Sequence, residues 1–153
     1  GMALGLKHQG NPARVYTLLG DGEIEEGQVW EACMLAAHYK LDNFCVIVDN
    51  NGLQIDGEVA KVMSPYPIDG KLQSFGFHVR TIDAHDFDQI EAAMNTARET
   101  KGQPTAIVMK TVKGKDVSFM ENNAGWHGKA PNDAEHEQAI GELKAILAEL
   151  EGK

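Results

Sequence analysis

The chain has 153 residues and a mass of 16.7 kDa, enough for one domain with a core of its own. Hydrophobic residues make up 42% and charged residues 24%, ordinary globular usage that argues against a disordered tail. Fourteen Lys and Arg against 23 Asp and Glu leave a formal charge of −9, which sets the chain against nucleic-acid backbones and anionic membranes as partners. No apolar run approaches the ~20 residues of a membrane span, and no basic segment followed by an apolar one opens the chain as an export signal. Cys33 and Cys45 are the only cysteines and lack CxxC spacing. They read as buried, reduced thiols of a cytoplasmic protein.

In chain order, residues 2–7 read as the tail of a helix. The expectation is either a gene that opens at Met2, with Gly1 a cloning remnant, or a piece of a longer protein. Residues 15–19, 44–49, 78–82 and 105–111 are short β-branched runs, apolar at nearly every position, as in parallel strands buried on both faces. Between them, residues 29–39 place Trp30, Cys33, Met34 and Ala37 on one helical stripe. Asp86 predicts an N-cap, followed at helical spacing by Phe87, Ile90, Met94 and Ala97. A last helix begins near Asn132 with Glu135 completing a capping box, and carries Ala139, Leu143, Ile146, Leu147 and Leu150. Strands alternating with helices predict an α/β fold, a parallel sheet flanked by helices, in a single domain over 1–153. Residues 112–131 show no period and read as an active-site loop, with residues 132–151 as the C-terminal helix.

The chemistry concentrates at two strand ends. Gly20-Asp21-Gly22 follows the first strand, and Asp49-Asn50-Asn51-Gly52-Leu53 ends the second. Ligands of open α/β sheets bind at the carboxyl ends of strands. A carboxylate between phosphate-binding glycines repels a bare phosphate and becomes favourable once a divalent cation lies between them. Asp21, the Asn51 side-chain oxygen and the Leu53 carbonyl, with diphosphate oxygens and water, would complete an octahedral shell. Each tripeptide alone is also what a plain glycine turn looks like.

Together the two turns match the GDG and NN fingerprint of thiamine diphosphate enzymes. The segment GDGEIEEGQVWEACMLAAHYKLDNFCVIVDNNGLQIDG, with Lys110-Thr111-Val112-Lys113-Gly114-Lys115 and Gly125-Trp126-His127-Gly128-Lys129-Ala130-Pro131, resembles the thiamine diphosphate-binding module of transketolases. The resemblance implies thiamine diphosphate as cofactor and Mg²⁺, or Ca²⁺ or Mn²⁺ in its place, on Asp21, Asn51 and Leu53. It implies that Gly22 offers its N–H to the diphosphate, Ile55 packs on the thiazolium ring, and Lys113 reaches the cofactor. His127 would meet both diphosphate and sugar substrate, and Glu26 and Glu31 would be paired acids linking two active sites of a dimer. The same two glutamates would also suit a helix first turn, and Lys113 would suit a solvated loop. His85 and Asp86 invite reading as a dyad, but Asp86 is accounted for as a cap.

The implied activity is transfer of a two-carbon ketol unit from a ketose phosphate to an aldose phosphate. The glutamate-bearing pyrimidine module of the family is absent from this sequence, as are the histidines upstream of the GDG turn that contact substrate in the family. The expected partners are therefore sugar phosphates, a C-terminal transketolase subunit or module, and a second copy of the chain. The alternatives are an inactive diphosphate-binding or dimerisation fragment and another thiamine diphosphate enzyme, such as deoxyxylulose-5-phosphate synthase. A dehydrogenase lacks the GxGxxG it needs.

Overall fold

The structure, a computed structural model, describes residues 1–152; Lys153, the last residue of the expected domain, lies outside them. Helix α1 (Met2–His8) precedes β1 (Val15–Gly20), a 3₁₀ turn over Glu23–Glu25 and α2 (Gly27–His38). Strand β2 (Phe44–Asn50) leads through the short strands β3 (Leu53–Gln54) and β4 (Gly57–Glu58) to α3 (Val59–Val62) and α4 (Ile68–Ser74). Then follow β5 (His78–Asp83), α5 (Phe87–Glu99), β6 (Thr105–Lys110), a 3₁₀ turn over Ala124–Trp126 and α6 (Asp133–Glu151).

The main sheet has the order β1-β2-β6-β5 with every pair parallel, the expected class, and β3 and β4 form a small antiparallel hairpin. Because side chains alternate across a strand, the central strands feed two cores. Val46, Val48, Ala106 and Val108 pack with Cys33, Ala36, Leu72 and Phe77 on one face. Cys45 and Ile107 pack with Ala93 and Ala97 of α5 on the other. Truncating a fully buried isoleucine such as Ile107 to alanine costs roughly 2–5 kcal/mol in such a core.

The helix caps stand where the sequence puts them. Asp86 Oδ1 accepts the N–H groups of Asp88 and Gln89, and Asn132 and Glu135 form the capping box of α6. Four expectations need correction. Strand β1 lies at the sheet edge, so Leu18 is 67% exposed rather than buried on both faces. On α2 Cys33 and Ala36 are buried with Trp30 packed against their core, but Met34 faces outward; on α5 Ala93 and Ala97 are buried with Ile90 and Met94 packed beside them, but Phe87 is exposed. Helix α6 buries Ala139 alone of its apolar run, with Leu143, Leu147 and Leu150 exposed, because no other layer covers it among the described residues. Helix α4 and the β3–β4 hairpin carry too short a pattern to read from the sequence.

Candidate cofactor site

The register of β1 on β2 pairs Gly20 with Asp49, which brings the two glycine turns side by side at the carboxyl edge of the sheet. The Asp21 N–H donates to the Asp49 carbonyl at 3.0 Å. Asp21 itself is 1% exposed. Its Oδ1 accepts the Gly22 N–H at 3.0 Å and its Oδ2 the Gly52 N–H at 2.6 Å. Gly52 reaches that position with φ of 77°, a left-handed backbone that glycine adopts without strain. Burial lifts the Asp21 carboxyl above the usual range; the Gly52 and Gly22 amides oppose the lift, and the Asp49 charge adds to it.

Asn51 is oriented from both ends. Its Nδ2 donates to Asp49 Oδ2 at 3.0 Å, and its Oδ1 accepts the Leu53 N–H at 2.9 Å. The Thr111 hydroxyl, at the end of β6, donates to Asp49 Oδ1. Gly22 is pressed by its neighbour: a Cβ there would meet Gln54 Oε1 at 2.6 Å and Gln54 Cβ at 2.8 Å.

Segment 112–131 is compact. Val112 N–H donates to His85 Nε2 at 2.9 Å, and Asn122 N–H donates to the Lys113 carbonyl at 3.0 Å. The Trp126 indole N–H donates to the Phe119 carbonyl at 2.9 Å, with the rings 5.3 Å apart and Lys129 Nζ 3.9 Å above the Trp126 ring. Ser118 is tied to Glu142 of α6 through its N–H and hydroxyl, each at 2.7 Å. These contacts seat Lys113 and His127.

One cavity of about 610 Å³ collects Asp21, Gly22, Asn51, Leu53, Ile55, Lys113 and His127. Ile55 stands at the tip of the β3–β4 hairpin, 71% exposed. Glu26 and Glu31 lie elsewhere. Glu26 is the N-cap residue of α2, makes no side-chain cap bond, and borders an adjoining apolar cavity of about 260 Å³ with Val29 and Cys33. Glu31 is exposed in the next turn, so neither sits in a helix first turn.

The larger cavity has the charge of a cation site. Asp21, Glu23, Glu25, Asp49 and Asp56 line it, and Lys113 is the cationic side chain among its lining residues. Glu25 Oε1 is buried there without a hydrogen-bond partner. Among the described residues, no cluster of three or more His, Cys, Asp or Glu forms a self-sufficient metal cage. A desolvated carboxylate beside an amide oxygen fits an oxygen-loving cation that takes its remaining ligands from a bound anion and water.

The sequence assigns no site role to Glu25, Asp49 or Tyr66, and it leaves His85 aside once Asp86 is read as a cap. Tyr66 donates its hydroxyl to Asn50 Oδ1 at 3.0 Å, and burial, then the Asp21 charge, raises its pKa. Tyr66 and His85 come beside the site through tertiary packing, Asp49 stands two residues before Asn51, and Glu25 is hidden in the run Glu23-Ile24-Glu25-Glu26.

A parallel sheet with such a cavity beyond the carboxyl ends of its strands is the arrangement in which open α/β domains bind their ligands. The family model described as transketolase, thiamine diphosphate binding domain, matches residues 8–145, and the chain belongs to that family. It is 38% identical over 144 residues to 6-deoxy-6-sulfo-D-fructose transketolase subunit SqwG of Clostridium sp. (strain MSTE9), covering 94% of this chain and 52% of that protein. It is 37% identical over 144 residues to an apulose-4-phosphate transketolase subunit of Actinobacillus succinogenes, with the same coverages of 94% and 52%. The crystal structure of transketolase from Campylobacter jejuni superposes with a TM-score of 0.70 at 34% identity, over 74% of this chain and 18% of that one. The chain thus spans about half the length of the two related subunits.

Proposed function

We propose that this chain is the cofactor-holding part of a transketolase, moving a two-carbon ketol unit from a ketose phosphate to an aldose phosphate. One observation carries the reading: Asp21, Gly22, Asn51, Leu53, Ile55, Lys113 and His127, far apart in sequence, line a single cavity. Asp21, Asn51 and the Leu53 carbonyl would hold Mg²⁺, and Gly22 N–H, Lys113 and His127 would meet the diphosphate. Thiamine diphosphate, when bound, supplies the electron sink for breaking the ketose C2–C3 bond. The protein's own part is to bind and orient. The buried Asp21 neutralises the cation, Ile55 offers an apolar surface to the thiazolium ring, and His127 and Lys113 offer charge or hydrogen bonds to sugar phosphate.

Activity also requires a partner subunit or module that binds the pyrimidine end; that several relatives are named as subunits supports this. Glu26 and Glu31, outside the cavity, are proposed to link two sites across a homo-oligomer. The exposed Leu18, Met34 and Leu35 on β1 and α2 favour such an assembly. Buried free Cys33 and Cys45, each thiol pushed up to about 11, favour a reducing, cytoplasmic setting and the pentose phosphate chemistry found there.

Calorimetry with thiamine diphosphate and Mg²⁺ tests the site. Wild type binds the pair, and Asp21→Ala and Asn51→Ala each weaken binding by about tenfold or more. Unchanged binding in both variants refutes the assignment. Complementation with a C-terminal subunit, assayed with xylulose-5-phosphate against pyruvate, separates transketolase from deoxyxylulose-5-phosphate synthase.

A further inference from the structure

Asp49 ties three parts of the cavity together through its side chain and its backbone carbonyl. Its two carboxylate oxygens are divided between two elements: Oδ2 accepts from Asn51 Nδ2 at 3.0 Å, and Oδ1 accepts from the Thr111 hydroxyl. Its carbonyl meanwhile accepts the Asp21 N–H at 3.0 Å. One residue therefore touches the Asp21 turn, the Asn51 turn and the end of β6, from which the chain runs on to Lys113.

The Asn51 amide has only one workable orientation in this setting. A carboxylate is acceptor-only and a backbone N–H is donor-only. Turning the amide over would face its oxygen to Asp49 Oδ2 and its NH₂ to the Leu53 N–H, replacing two hydrogen bonds with two repulsions. Asp49 thus forces Asn51 to keep its NH₂ toward β2 and its oxygen toward Leu53 and the cavity.

We infer that Asp49 is a positioning residue of this site: it locks the Asn51 amide with the oxygen available to a cation and, through Thr111, fixes the start of the segment that carries Lys113. The inference deepens the proposed function and rests on it for its consequence in cofactor binding. The hydrogen-bonding role itself stands on the geometry alone. Asp49→Asn can preserve that role, since its oxygen accepts from Asn51 while its NH₂ donates to a rotated Thr111 hydroxyl. Asp49→Ala cannot.

The full chain is tested with Mg²⁺ and thiamine diphosphate by calorimetry, and by NMR of the Asn51 side-chain amide, assigned by its loss in Asn51→Ala. Asp49→Ala weakens binding about 10–100-fold, the usual loss for a partner that orients a metal ligand, whereas Asp49→Asn stays within about threefold of wild type. In wild type and Asp49→Asn, one Asn51 Nδ2 proton is shifted apart from its twin by its hydrogen bond; in Asp49→Ala the two move together. Equal weakening in Asp49→Asn and Asp49→Ala, or binding unaffected in both, overturns the inference. If wild type binds no cofactor, the functional reading fails, and the Asn51 signals alone decide the role of Asp49. If Asp49→Ala does not fold, an unshifted Asn51 Nδ2 pair in wild type is enough to overturn it.

Discussion

The Asp21 carboxylate accepts the Gly52 N–H at 2.6 Å across 31 residues of sequence, and this bond joins the two glycine turns into one wall. Neither turn is a site by itself. The parallel pairing of β1 and β2 ends both strands at the same level, and the Asp21–Gly52 bond closes the remaining gap. Fold and site are therefore linked through the backbone before any ligand is involved.

Gly22→Ala tests how tightly that wall is built. The backbone at Gly22 has φ of −73°, so alanine meets no conformational penalty, but its Cβ would lie 2.8 Å from Gln54 Cβ. The hairpin carrying Leu53 and Ile55 has to shift. Urea unfolding is expected to show a loss of about 1–3 kcal/mol, the usual range for overpacking, together with weaker cofactor binding. Stability equal to wild type would show that Gln54 yields freely.

Trp126→Phe probes the seat of His127. It keeps a ring against Phe119 but removes the indole N–H that donates to the Phe119 carbonyl. The net loss from one such bond is about 1 kcal/mol, felt locally in segment 112–131. Limited proteolysis within that segment should accelerate in Trp126→Phe and more so in Trp126→Ala, while the core amides keep their hydrogen-exchange protection.

Asp42 gives a pH-dependent prediction with a definite sign. The Gly102 N–H, at 3.0 Å, and then Lys7 lower its carboxyl pKa below the ordinary value. Its stabilising contribution is therefore complete above the unfolded value of ~3.9 and disappears as pH falls through the lower folded one. The pair is near the surface, so the contribution is at most about 1 kcal/mol. Unfolding curves of wild type and Asp42→Asn should differ at neutral pH and converge in strong acid.

Leu18→Lys addresses the open edge. Leu18 is 67% exposed on β1, which among the described residues has β2 as its single strand neighbour. A lysine at such an edge discourages further strand pairing. Sedimentation should show wild type associating as concentration rises and Leu18→Lys remaining smaller. A wild type that stays monomeric throughout contradicts the homo-oligomer.

Much of this architecture is legible in the sequence because the central strands have one environment and one composition. Residues 44–49 and 105–111 are apolar because both their faces are covered, and the helix caps at Asp86 and Asn132 follow from local hydrogen bonding alone. The edge is harder to read. Leu18 and Phe87 are as apolar as any core residue, and nothing in their neighbours reveals that they face outward. In the site, Asp21 and Asn51 stand out through their flanking glycines, whereas Asp49 and His85 acquire their roles only when Thr111 and Val112 arrive from the end of β6.

The scarcity of protein ligands around Asp21 has a thermodynamic consequence. On the proposed function, a wall that completes no coordination sphere alone among the described residues would leave cation and pyrophosphate to finish each other's binding site. Their affinities are then reciprocally linked, each ligand raising the other's by the same factor. Titrated separately, each should bind feebly; mixed, they should saturate the domain together, so the free magnesium concentration would regulate how much of this protein is loaded.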